Sequence, residues 1–80
     1  MENRIAILGI FIEDNAQSGQ VNALLHDYSE YVVGRLGVPY RERKLSVICV
    51  VLDAPNDIIS ALSGKLGRLS GVKAKAQYAK

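Results

Sequence analysis

In 80 residues the chain has no tryptophan, one phenylalanine, one cysteine, one histidine and two prolines, and each scarcity removes a class of protein. A lone cysteine, Cys49, set inside an apolar run, builds neither a disulfide framework nor a CxxC metal or redox pair, so a reducing cytoplasm is the expected setting. The only histidine, His26, has Glu30 one helical turn later, which makes two metal ligands where a zinc site needs at least three from protein. No metal or cofactor is expected. His26 also has no serine or cysteine nucleophile patterned with it, so the sequence does not read as an enzyme. With Phe11 as the sole Phe and tyrosines at 28, 31, 40 and 78, there is no aromatic platform on which RNA bases would stack. A basic helix-turn-helix and a basic arm ahead of the first strand are also missing, so direct sequence-specific DNA binding is not expected. Ile5–Ile12, the one apolar run near the N-terminus, is eight residues long, against the roughly 20 needed to span a bilayer. No small-residue cleavage pattern follows it. The expectation is a soluble chain, complete as given, without membrane attachment.

What is present is ordinary globular material: 49% apolar and 22% charged residues, a balance that folds. The length suits one domain over residues 1–80, and such a chain removes only about 60 to 65% of its unfolded surface from water by folding alone. Association would add burial. The net charge of +2 is unevenly spread: residues 1–33 set Arg4 against Glu2, Glu13, Asp14, Asp27 and Glu30, a balance of −4, and residues 34–80 carry +6. Arg41, Arg43 and Lys44 crowd together, Lys65 and Arg68 follow, and Lys73, Lys75 and Lys80 close the chain. This surface reads as a solvated rim that complements acidic patches on a neighbour, or as one that faces an anion.

Ile5–Ile12 is rich in β-branched residues and stops at Glu13-Asp14-Asn15, which marks a strand apolar on both faces. Asn15 or Ser18 can cap a following helix whose stripe is Val21, Leu24, Leu25, Tyr28 and Val32. A short second strand, Val33–Val38, carries two glycines that suggest a bulged edge. Pro39 is expected to break the ladder, with Tyr40–Lys44 as a connection. Leu45–Leu52 is the second strong strand, again apolar on both faces. Asp53-Ala54-Pro55-Asn56 stops it, and Asn56 or Asp53 can cap a second helix with the stripe Ile58, Ile59, Leu62, Leu66 and Leu69. Gly71 suits a left-handed helix-terminating position, and Val72–Tyr78 alternates as a last strand. The order βαββαβ, with right-handed crossovers, predicts an α+β fold: a ferredoxin-like sandwich with a four-stranded antiparallel sheet, strands one and three central, and two helices on one face. The other face would then be open and apolar, and such a patch marks an interface.

Ser63-Gly64-Lys65 is not a phosphate loop, because a Walker motif needs glycine where Ile59 stands and Ser or Thr where Leu66 stands. It leaves Gly64 and Gly67 inside a helix, each costing about 1 kcal/mol relative to alanine. With Ser60 and Ala61 they make a small-residue strip, suited to a close packing or subunit contact, or to a small ligand lying against it.

Gln20–His26, Gly37–Glu42 and, most specifically, Ala61-Leu62-Ser63-Gly64-Lys65-Leu66-Gly67-Arg68-Leu69-Ser70-Gly71-Val72 resemble the iron-only hydrogenase system regulator family over nearly the whole chain. That family is related to the C-terminal, metal-sensing and tetramer-forming domain of nickel-responsive repressors and, more loosely, to ACT-like regulatory domains. The resemblance implies the same fold and a regulatory role. The repressors carry an N-terminal ribbon-helix-helix DNA reader, whereas this sequence begins directly at strand one. They also bind nickel through several histidines and a cysteine near the second and third strands. Val33–Leu52 here holds Cys49 and no histidine, so nickel sensing does not carry over.

The expectation is therefore a homo-oligomeric regulatory domain, a dimer or tetramer joined through the open sheet face, acting on gene expression or maturation in a hydrogenase system. A small anionic effector would bind at a subunit interface near Arg41, Gly64, Lys65, Gly67 and Arg68, where backbone N–H groups and basic side chains favour an anion. The alternative is a structural adaptor oligomer that binds a protein partner and no small ligand. A small enzyme using His26 with Asp27 or Glu30 is the third reading.

Overall fold

The computed structural model describes residues 2–13 and 17–80. Four strands and two α-helices follow one another as β1 (Asn3–Ile12), α1 (Ser18–Asp27), β2 (Val32–Tyr40), β3 (Leu45–Pro55), α2 (Asn56–Gly67) and β4 (Val72–Tyr78). The strands form one antiparallel sheet in the order β2-β3-β1-β4. This is the expected ferredoxin-like α+β arrangement with β1 and β3 in the centre.

The pairing register sorts every strand residue to one of two faces, because side chains alternate along a strand. On the helix-covered face, Ala6, Leu8, Ile10 and Ile12 of β1 lie beside Leu52, Val50, Ile48 and Ser46 of β3 and beside Tyr78, Ala76, Ala74 and Val72 of β4. Val21 and Leu25 of α1 and Ile59, Leu62 and Leu66 of α2 close over them, and with Ala54 and Val72 the apolar residues of β1 and β3 on this face make the buried core, against which Ala74, Ala76 and Tyr78 pack half-buried. No charged or polar residue is buried among the described residues. The core is thus held by burial alone, worth roughly 1.5–3 kcal/mol for each large side chain removed from water.

Several local expectations change. Val32 does not extend the α1 stripe. The helix ends at Asp27, a 3₁₀ turn over Ser29–Tyr31 follows, closed by the Tyr31 N–H donating to the Tyr28 carbonyl at 3.0 Å, and Val32 opens β2 opposite Leu52. Two consecutive valines favour the pleat over another helical turn, and an existing central strand offers them a ladder. Strand β2 is also longer than Val33–Val38, for Pro39 pairs with Ser46 and Tyr40 with Leu45. Proline is tolerated there because β2 is an edge strand and nothing need accept from its missing N–H. The expected bulge is present as a register shift between Val32 and Gly34.

Capping differs too. Gln17 is the N-cap of α1 and Pro55 that of α2, neither with a side-chain cap hydrogen bond. Ser18 and Asn56 are the first residues inside their helices, Asp53 lies within β3, and Asn15 falls outside the described residues. Pro55, with φ −59° and ψ 150°, turns the chain from strand to helix by its ring constraint. Gly71 does take a left-handed φ of 73°, but in the turn that enters β4, since α2 closes at Gly67 with Arg68 as its C-cap. The Gly71 carbonyl there accepts from the Glu13 N–H at 2.7 Å.

With so small a core, one large truncation is felt throughout. Leu8→Ala, at the centre of the buried face, is expected to cost about 2–5 kcal/mol. A clear fall in the urea midpoint is the check; an unchanged midpoint would mean that β1 is not central.

Candidate functional site

Lys65 and Arg68 lie near the C-terminus of α2, where positive charge suits the helix dipole. They line a shallow groove of about 370 Å³ against α1, whose other walls include Ala23, Leu24 and Asp27. The Lys65 Nζ donates to the Tyr28 hydroxyl at 2.8 Å and stands 5.1 Å from the centre of that ring. The nearer contact decides the geometry: the ammonium is held at the phenol oxygen, and the attraction of the ring face is secondary. Both partners stay in contact with water, so the bond orders the groove without contributing much stability.

Gly64 and Gly67 are exposed, and a Cβ built on either meets no heavy atom within 4 Å. Nothing in the chain's own packing requires them to be glycine. The small-residue strip is thus an open stretch of helix surface, whose cost is not offset by any contact within the chain.

Arg41 stands elsewhere. It begins the 3₁₀ turn Arg41–Arg43 that joins β2 to β3, and it lines a separate cleft of about 650 Å³ with Glu13, Tyr40, Lys44 and Ser46. Lys44 ends this turn at φ 52°, a left-handed conformation costing an L-residue roughly 1–2 kcal/mol. The sequence-derived ligand set of Arg41, Gly64, Lys65, Gly67 and Arg68 thus divides: Lys65 and Arg68 stay beside the two glycines, while Arg41 stands apart at the hairpin end, where Arg43 and Lys44 are its neighbours. Neither of these two clefts is lined by both groups. His26 is exposed on α1, and among the described residues no three of His, Cys, Asp and Glu cluster as metal ligands.

The largest feature is the uncovered sheet face. Three rows cross it, read from the registers: Val38, Val47, Phe11 and Lys73; Leu36, Cys49, Gly9 and Lys75; Gly34, Val51, Ile7 and Gln77. Ile5, Ile7, Phe11, Val38 and Tyr40 are each 46–48% exposed and Leu36 is 65% exposed. Sequence reasoning located this face from the apolar patterning of β1 and β3. It missed the part contributed by β2, because a strand with two glycines and a proline gives a weak periodic signal. At the far end of the same sheet Arg4 lies over the Tyr78 ring at 4.1 Å and donates to the Lys80 carbonyl, tying down the C-terminus.

Comparison with known proteins fits this architecture. Residues 4–76 match the TM1266-like family, described as "Iron-only hydrogenase system regulator, putative", and the chain belongs to that family. The solved structure of the uncharacterized protein TM1266 from Thermotoga maritima is similar at 45% identity and a TM-score of 0.94, over 99% of this chain and 100% of that one. No curated protein matches. No helix among the described residues is long and apolar enough to cross a membrane.

The open strip makes a direct prediction. Gly64→Ala should stabilise the isolated chain by about 1 kcal/mol, since it gains helix propensity and meets no neighbour. A higher thermal midpoint is the expected result. A lower one would show that Gly64 is held against something by close approach.

Proposed function

We propose that the chain is a homo-oligomeric regulatory module of an iron-only hydrogenase system, assembled by burying the open faces of its sheets against one another. The observation that carries this is the patch of exposed Ile7, Phe11, Leu36 and Val38 around half-buried Val47, Cys49 and Val51. Membership of the TM1266-like family supports the regulatory context. A face of this size and apolarity is a liability for a free monomer and an asset for an assembly. The absence of disulfide pairing in a one-cysteine chain is consistent with work in the cytoplasm, on gene expression or on maturation.

An anionic effector is the regulatory input this reading favours, with Lys65 and Arg68 beside Gly64 and Gly67 as its surface. Arg41 joins them only if a second subunit brings its hairpin end to the groove. A second reading has an observation of its own. The basic residues divide between two shallow clefts, one of which also holds Asp27 and the other Glu13, and this suits a broad protein contact better than one small anion. Under that reading the oligomer is an adaptor and catalysis plays no part in either case.

Native mass spectrometry of freshly purified protein tests the two together. A multimer with a retained anionic mass is the expected result. A multimer without added mass assigns the protein to the adaptor reading, and a monomer at micromolar concentration contradicts both.

A further inference from the structure

Gly9 stands at the middle of the uncovered face, on a central strand, with Cys49 on one side and Lys75 on the other. Glycine within a strand weakens it and is kept where another backbone or a ligand approaches closely. The chain itself makes no such approach: a Cβ on Gly9 would have the Lys75 carbonyl oxygen at 4.0 Å as its nearest neighbour, an ordinary contact. A Cβ would fit, so its absence leaves a shallow seat between Cys49 and Lys75 on a largely apolar surface. Phe11, the only phenylalanine, stands two residues along the same strand, on the same face, and is 46% exposed.

We infer that Gly9 is the seat for Phe11 of a second copy of this chain, in a face-to-face pair whose two-fold axis crosses β1 midway between the two residues. The inference rests on the homo-oligomer reading above and specifies its registration. Two-fold contacts are reciprocal, so when residue 11 of one copy faces residue 9 of the other, both seats fill in one event. A knob and a seat on one surface, spaced by a single strand repeat, are self-complementary as no arbitrary partner need be.

The dimensions agree. About this axis residues 8–12 of β1, 34–40 of β2, 45–51 of β3 and 72–76 of β4 overlap their counterparts, and at about 4.8 Å between strands and about 3.3 Å per residue they give a plan area of about 380 Å² per copy. Side chains standing off that plane bring the area buried over both copies towards the roughly 1,000 Å² that a specific interface must clear. The same axis lays one β4 over the other, with Lys73 facing Lys75, and their flexible stems carry the ammonium groups out to water at the rim. The apolar rows of β1 and β3 are left to close on each other.

The test uses the full chain, with circular dichroism and urea unfolding to confirm that each variant folds. Sedimentation velocity over a concentration series supplies the dissociation constant. Gly9→Val, whose Cβ meets only an ordinary contact in the single chain, and Phe11→Ala, which removes only an exposed group, should each weaken self-association by about tenfold or more. The swapped variant, Gly9→Phe with Phe11→Gly, exchanges knob and seat and should restore most of the loss, because the two-fold relates those two positions. If the wild type associates and Gly9→Val associates equally well, the seat is wrong while the homo-oligomer stands. Single variants that weaken association with no recovery in a folded swap overturn the registration. A monomeric wild type that binds lipid vesicles or a different protein through this face overturns the inference and the reading beneath it.

Discussion

Two helices cover one face of a four-stranded sheet and cannot cover both. Every other property of this chain depends on that limit. β1 and β3 are apolar on both sides, so the core that α1 and α2 close over accounts for only half of what those strands present. The buried half, from Ala6 to Ile12 and from Ile48 to Ala54, holds the single chain together without a buried polar or charged residue among the described residues. The other half has no role in the single chain that a more polar surface could not fill.

In the proposed assembly, the apolar content of that second face, set on a scaffold stabilised by a modest core, becomes part of a larger core divided between copies. A chain of 80 residues gains proportionally more from association than a large domain does. Regulation fits the same physics. An assembly whose contacts lie on an open sheet face leaves the helical faces, with Lys65, Arg68 and the uncrowded Gly64, available to whatever sets or reads its state. Membership of the TM1266-like family gives the context in which the proposed assembly would act.

The central strands were legible because eight-residue apolar runs admit few other readings, and the βαββαβ order then leaves little freedom in topology. The misreadings occur where tertiary pairing overrides a local signal. Val32 continues the α1 period in sequence, yet it joins the sheet opposite Leu52. Pro39 reads as a breaker, yet an edge strand accommodates it. Asn56 reads as a cap, yet the cap position belongs to Pro55. The functional surface was legible in kind and not in detail. Gly64, Lys65, Gly67 and Arg68 lie on one helix and stay together, whereas Arg41 belongs to the hairpin end, a separation that depends on where the β2–β3 turn falls. Gly9 drew no notice in the sequence, since one glycine in an apolar strand signals only weakness until the register sets Cys49 and Lys75 beside it.

The central claim, that the open face is covered in the working protein, is tested most directly by hydroxyl-radical footprinting of the protein at a concentration where it is fully assembled. The account predicts that Phe11, Val38 and Leu36, which are 46%, 46% and 65% exposed in the single chain, are strongly protected, while the exposed α1 residue His26 reacts freely. Free reaction of Phe11 and Leu36 under those conditions would contradict it.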